Sequence, residues 1–164
     1  MSDTGKRRPS RSGGPRSAAR LAAVQALYQV DMTGISPAVV AAEFVAFRLG
    51  QEIDGDDYLL ADEVLFRELV SGTLDRQSEL DPLISRLLTQ DWPLDRLEVT
   101  LRAILRAASF ELAHRIDTPA RVVITEYVDI AHAFFTGKEP GLINGVLDRL
   151  ARQCRQAEWS GDAG

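Results

Sequence analysis

The chain has 164 residues, 45% of them hydrophobic, enough to bury one core and too few for two. It contains no uninterrupted apolar run long enough for an ordinary membrane-spanning helix, and its one cysteine, Cys154, excludes an internal disulfide and a cysteine-built metal site. The net charge of −5 hides an asymmetry: residues 1–20 hold six bases and one acid, +5, which leaves 13 bases and 23 acids, −10, for the rest.

The first fifteen residues therefore read as a disordered basic arm, with Lys6, Arg7, Arg8 and Arg11 preceding Gly13-Gly14-Pro15. "SGGPRSAAR" follows the arm where a secretory signal would carry its apolar segment, so the expected location is the cytoplasm. Ser17 is a candidate N-cap for a first helix that ends before Gly34. On it Ala19, Ala23, Leu27 and Val30 make one apolar side and Leu21, Val24 and Tyr28 a second, interrupted only by Gln25 and Gln29. Such a helix is either mostly buried or borders a binding surface.

Ser36-Pro37 opens a second helix to about Leu49, and the acidic loop "QEIDGDD" follows. A third helix is expected from about Tyr58, carrying Leu59, Val64, Phe66, Leu69, Val70 and Leu74. Asp81-Pro82 predicts a break near Leu80 and a fourth helix through Ile84 and Leu88. After "DWPLDRL", Leu97, Leu101, Ile104, Leu105, Ala108, Leu112 and Ile116 describe an amphipathic fifth helix, with Glu98 and Arg102 paired four apart on its polar side.

"RVVITEYVDIAHAFF" is rich in β-branched residues, but Thr118-Pro119 is a helix start, and Val123, Tyr127, Ile130, Ala131 and Phe134 keep a 3.6 period. It is expected to be a sixth helix, ending near Phe135–Gly137. The last helix starts near Pro140. Its Asn144-Gly145 suggests a tight hairpin when read alone. The hairpin fails because Ile143, Val146, Leu147, Leu150 and Cys154 follow one helical face, with Cys154 as a small core residue. Gly141 and Gly145 then leave a side-chain-free strip on the outer face, beside Asn144, Arg149 and Arg152, where a partner or RNA is able to approach the backbone. Residues 156–164 read as a frayed polar tail.

The expected fold is all-α: one compact domain of about seven helices over residues 16–155, preceded by the arm of residues 1–15. Phosphate-loop, dinucleotide and nucleophile-elbow motifs are absent, and His114 and His132 lack metal-site spacing. These features favour a binding protein over an enzyme, with no catalytic residue, metal or cofactor expected.

"AARLAAVQALYQVD", "RAILRAASFEL", "PARVVITEYVDIAHAF" and "LINGVLDRLA" occur in an order and spacing that resemble the NusB family of transcription antitermination factors, over about residues 16–152. The resemblance implies an adaptor that binds boxA-type single-stranded RNA together with the ribosomal protein NusE. In an antitermination complex it would promote read-through by RNA polymerase, notably in ribosomal RNA operons. Lys6, Arg7, Arg8, Arg11, Arg16 and Arg20 would then meet phosphates, while Tyr28 would stack on a base and Gln25 would bond a base edge from one side of the first helix. Gly141, Asn144 and Gly145 form a further candidate surface for partner or RNA.

The chain departs from the usual pattern at Gly141 and Leu142, where a basic residue and an aromatic are frequent, and at Leu101, where an acid is common. Two alternatives stay open. One is a stand-alone RNA-binding domain of the ribosomal RNA cytosine methyltransferase type, and the other a helical interaction module that forms a homodimer through its apolar first helix.

Overall fold

The computed structural model describes residues 14–47 and 62–160, and within them the chain folds into eight α-helices and one 3₁₀ turn. In order they are α1 Gly14–Thr33, α2 Pro37–Phe47, α3 Glu63–Asp75, α4 Gln77–Leu87, the 3₁₀ turn Leu94–Arg96, α5 Val99–His114, α6 Ala120–Phe134, α7 Glu139–Cys154 and α8 Gln156–Ser160. The all-α expectation holds, with α8 added where a frayed tail was expected. Lys6 to Arg11, the acidic loop and Tyr58 lie outside the described residues.

The whole arrangement is built around α5, which packs on α1, α3, α4, α6 and α7. The sequence predicts an amphipathic helix there, yet every residue from Ala103 to Leu112 except Arg106 is buried. A helix buried all round needs small residues where neighbours cross, and Ala103, Ala107 and Ala108 supply them. The same need for a small residue arises at Gly72 of α3. A β-carbon there would lie 2.2 Å from the Phe110 ring, so α3 and α5 approach closely only because that side chain is missing.

Several element boundaries differ from the sequence expectation for identifiable reasons. Ser17 is not the cap of α1; the helix begins at Gly14, and the Ser17 hydroxyl bonds Glu126 of α6, 2.7 Å from Oε2. Asp62 caps α3 through the Leu65 N–H at 2.9 Å. The break expected near Leu80 falls at Arg76, and Pro82 sits inside α4. Glu98 does not pair with Arg102. Its carboxylate caps α5 by accepting from the Thr100 and Leu101 N–H groups, while Arg102 reaches Asp31 of α1 at 2.9 Å. Ile116 lies beyond the end of α5 and is 76% exposed.

Glu111 stands in the middle of the core. Arg20 of α1 donates to its carboxylate through Nε at 2.7 Å and Nη2 at 3.1 Å, and the Tyr127 hydroxyl of α6 donates at 2.7 Å. All three side chains are buried. Burial opposes the Arg20 charge, but the hydrogen bond and charge of Glu111 outweigh it, so the guanidinium holds its proton more tightly than a free arginine. Burial, followed by the Glu111 charge, pushes the Tyr127 hydroxyl well above its usual range, which keeps it neutral and donating.

The far end of α5 is closed by Arg155, which uses all five of its N–H donors. Nε bonds the Leu112 carbonyl at 2.7 Å, Nη2 bonds those of Glu111 and Arg115, and Nη1 bonds the Thr118 carbonyl and the Glu158 carboxylate. The carbonyls of Glu111 and Arg115 also accept the Arg115 and Thr118 N–H groups, at 3.0 and 3.3 Å, so Arg155 adds a second donor to each, and its positive charge suits the helix C-terminus. Cys154, expected in the core, is exposed, with Sγ turned toward the Leu112 carbonyl at 3.6 Å.

Three outcomes follow for equilibrium urea unfolding. Glu111→Ala strands a buried guanidinium and is expected to cost about 3–5 kcal/mol, whereas Arg20→Met with Glu111→Ala together should cost clearly less than the sum of the single changes. Gly72→Ala should destabilise by about 1–3 kcal/mol through overpacking against Phe110. Gly141→Ala, where a β-carbon meets nothing within 4 Å, should instead stabilise by up to about 1 kcal/mol.

Candidate nucleic-acid interface

The outer face of α1 is the best-formed candidate surface. Leu21, Gln25, Tyr28 and Met32 fall within about 60° of one another at 100° per residue. Leu21, Tyr28 and Met32 are exposed, whereas the opposite side of the helix is buried against α3 and α5. The exposed stripe exists because α1 carries apolar residues on two sides, and of the second side the core takes only Val24, leaving Leu21 and Tyr28 exposed. That is one of the two outcomes its sequence allowed.

Gln25 and Tyr28 open onto a groove of about 670 Å³, whose other walls include Gln29, Phe44, Glu98 and Phe134. The sequence did not single out Phe134 as a surface residue, because its period placed it on the core stripe of α6. It is the last residue of that helix and stands 44% exposed at the rim. Exposed aromatics beside amide side chains suit a flat, edge-polar ligand such as an unpaired base, with the rings stacking and the amides reaching its edge.

The expected phosphate contacts separate on the structure. Arg16 is exposed in the first turn of α1 and remains available to an anion. Arg20 does not. It is 2% exposed, held by Glu111 with Glu126 at 3.8 Å, and it therefore belongs to the core and not to an RNA surface. Sequence position alone grouped it with the arm. Lys6, Arg7, Arg8 and Arg11 lie outside the described residues.

Gly141, Asn144 and Gly145 do lie on the outer side of α7, with Gly141 and Asn144 exposed. Arg149 folds back over this strip, its Nε donating to the Gly145 carbonyl at 3.2 Å. None of the three lines the groove of Tyr28, so the two candidate surfaces are separate features.

A second cavity, about 570 Å³, lies between α4 and α5. Both of its arginines are paired with carboxylates. Arg106 makes two bonds of 2.9 Å to Asp81, and Arg102 bonds Asp31. The cluster ties α1, α4 and α5 together. His114 bonds Glu79 at 3.0 Å and stacks on Phe110, and among the described residues no group of three or more potential metal ligands converges. Also among the described residues, no helix is long and apolar enough to cross a membrane.

The NusB family model matches residues 17–152. The transcription antitermination protein NusB of Rhizobium rhizogenes is 56% identical over 155 residues, covering 94% of this chain and 97% of its own. That of Brucella anthropi is 57% identical over 141 residues, covering 86% of this chain and 84% of its own. Among solved structures, T. maritima NusB superposes with a TM-score of 0.72 at 30% identity, over 89% of this chain and 97% of that one. A crystal structure of the antitermination factors NusB and NusE in complex with double-stranded RNA matches with a TM-score of 0.69 at 25% identity, over 84% of this chain and 96% of that one. With the family model matched over residues 17–152 and the fold matched in space, the chain belongs to the NusB family.

Proposed function

We propose that the chain acts as a transcription antitermination factor that binds boxA-type single-stranded RNA together with the ribosomal protein NusE, and joins the RNA polymerase complex that reads through terminators, notably in ribosomal RNA operons. The observation that carries this reading is the exposed face of α1, where Gln25 and Tyr28 meet Phe134 at one groove in a chain of this family. A structural neighbour that is a complex of NusB, NusE and RNA supports the choice of partners.

The division of labour follows from the chemistry. Tyr28 offers a π-face to an unpaired base, and Gln25 offers both a donor and an acceptor to a base edge. Arg16 and the arm residues Lys6, Arg7, Arg8 and Arg11 supply phosphate contacts that strengthen binding at low salt. The core of α1, through Arg20 and Glu111, fixes the axis on which these groups are presented. Gly141, Asn144 and Gly145 give a side-chain-poor surface on which a protein partner is able to lie close to the backbone. No group here is assigned a catalytic role.

One observation favours a second reading. Leu21 and Met32 stand exposed on the same face as Tyr28, and an apolar helix face of this kind also suits a homodimer. Light scattering distinguishes the two: RNA addition should leave the mass of a monomeric RNA-binding chain increased only by the RNA, whereas a dimer through α1 would have to dissociate first.

Titration into fluorescent boxA-type RNA and a scrambled control, with and without NusE, tests the leading reading. Preferential binding of boxA, tightened by NusE, is expected. Equal weak binding to both RNAs at every salt concentration would overturn it. Tyr28→Ala should cost about 1–3 kcal/mol of boxA affinity if the ring stacks on a base. Replacing Lys6, Arg7, Arg8 and Arg11 by alanine should flatten the dependence of log K on log salt by about 0.7 for each phosphate that is no longer neutralised.

A further inference from the structure

The groove at Tyr28 has an uneven chemistry. Its polar walls are Gln25, Gln29 and Thr33 of α1 with Glu98 and Thr100 at the start of α5, and among the described residues that line it Glu98 is the one with a formal charge. A phosphate drawn in there would meet an anion with no lining cation to offset it. The groove therefore suits the base of a nucleotide and not its phosphate.

Glu98 does more than its capping role requires. Its Oε2 accepts from the Thr100 and Leu101 N–H groups at 2.9 and 3.3 Å. These are N–H groups that a helix start would otherwise offer to an anion, so the cap closes this end of α5 to phosphate. Capping is done best by the short side chains of Ser, Thr, Asp or Asn, and the helix has no need of the extra methylene of Glu. Among the described residues no donor meets Oε1, and Glu98 is exposed, which leaves one oxygen of an oriented carboxylate for a ligand.

The place of Glu98 relative to Tyr28 is fixed by Arg102. Its Nη2 donates at 2.9 Å to Asp31, three residues after Tyr28 on α1, and its Nη1 donates at 3.1 Å to the carbonyl of Asp95, three residues before Glu98. One guanidinium thus ties the helix that carries the stacking ring to the segment that carries the carboxylate. A base stacked at Tyr28 brings its edge to an acceptor already in position.

The bases differ in what they offer such an acceptor. Cytosine, adenine and guanine each carry an exocyclic amino group, which donates to a carboxylate. Uracil has a carbonyl where cytosine has that amino group, and a carbonyl facing a carboxylate is repelled.

We propose that Glu98 determines base specificity in the α1 groove: Oε1 accepts from the exocyclic amino group of the base held at Tyr28, so that the groove takes cytosine or another amino-bearing base and rejects uracil. This inference rests on the reading of the chain as an RNA-binding factor and gives that groove a chemical preference. Gln25 and Gln29 have amides that both donate and accept, so they adapt to the base and leave the choice to Glu98.

The test titrates the full chain into boxA-type RNAs from which one amino group at a time is removed, cytosine becoming uracil and adenine becoming purine riboside. One such change should weaken binding by the parent roughly tenfold, and by less than about twofold in Glu98→Ser, which keeps a hydroxyl to cap α5. Glu98→Gln sets an N–H donor beside the acceptor and should make cytosine and uracil bind alike at that position. As a readout independent of boxA, the parent should prefer oligocytidylate to oligouridylate, and Glu98→Ser should bind both alike. Circular dichroism and the thermal midpoint confirm that the variants fold.

If every amino-group removal costs the parent and Glu98→Ser the same, or none costs the parent anything, the proposal is overturned while boxA recognition stands. A parent that binds boxA and scrambled RNA alike would instead overturn the functional reading, and the homopolymers would still decide the role of Glu98. A cytidylate preference that disappears in Glu98→Ser supports that role; one that persists in the variant, or is absent from the parent, overturns it.

Discussion

A buried carboxylate organises this molecule. Glu111 sits on the helix against which α1, α3, α4, α6 and α7 all pack, and it gathers a guanidinium from α1 and a hydroxyl from α6. A charge so placed is costly unless its lone pairs are filled, and here they are filled from two different helices. The pair consequently specifies the axial position of α1: a shift by one residue would bury Arg20 against apolar neighbours and leave Glu111 unpaired. Close packing alone, largely between alanines on α1 and α5, would tolerate such a slip more readily.

That constraint explains the two-sided character of α1. Its inward side is anchored by Arg20 on Glu111, by Asp31 on Arg102 and by a row of small residues, which leaves the large side chains Leu21, Tyr28 and Met32 to face outward. A helix fixed so firmly on one side presents its other side as a rigid platform. On the proposed function this rigidity matters, because the platform itself then adds nothing to the ordering cost of binding a flexible strand. The groove at Tyr28 is assembled from α1, α2, α6 and the start of α5, all of which meet α5 or α1 directly.

Most of the helices were legible in the sequence because apolar period and capping residues agree along the chain: Gly34 ends α1 with a φ of +68°, and Phe135 ends α6. What was illegible depended on distant partners. Arg20 looked like the last member of a basic arm, since its partner Glu111 is 91 residues away. The available signal was on the other side of the pair, where Glu111 falls between Phe110 and Leu112 in a stretch with no polar face left to hold it. Asp81-Pro82 looked like a helix start, but the chain turned at Arg76 and carried the proline inside α4. The site was legible in part: Gln25 and Tyr28 were named from helical spacing, whereas Phe134 became a rim residue only because its helix stops there.

Arg155 carries a consequence for how the chain reaches this state. Four carbonyls at the end of α5 and in the following turn, on residues 111 to 118, receive their donors from a residue about 40 positions later. Until residue 155 has emerged, the Glu111 and Arg115 carbonyls hold only their local backbone donors, and the bonds that clamp the end of α5 to the turn before α6 are missing. Completion of this end of the core is thereby tied to late translation, and a nascent chain released before that point would lack the clamp that joins α5 to the turn before α6.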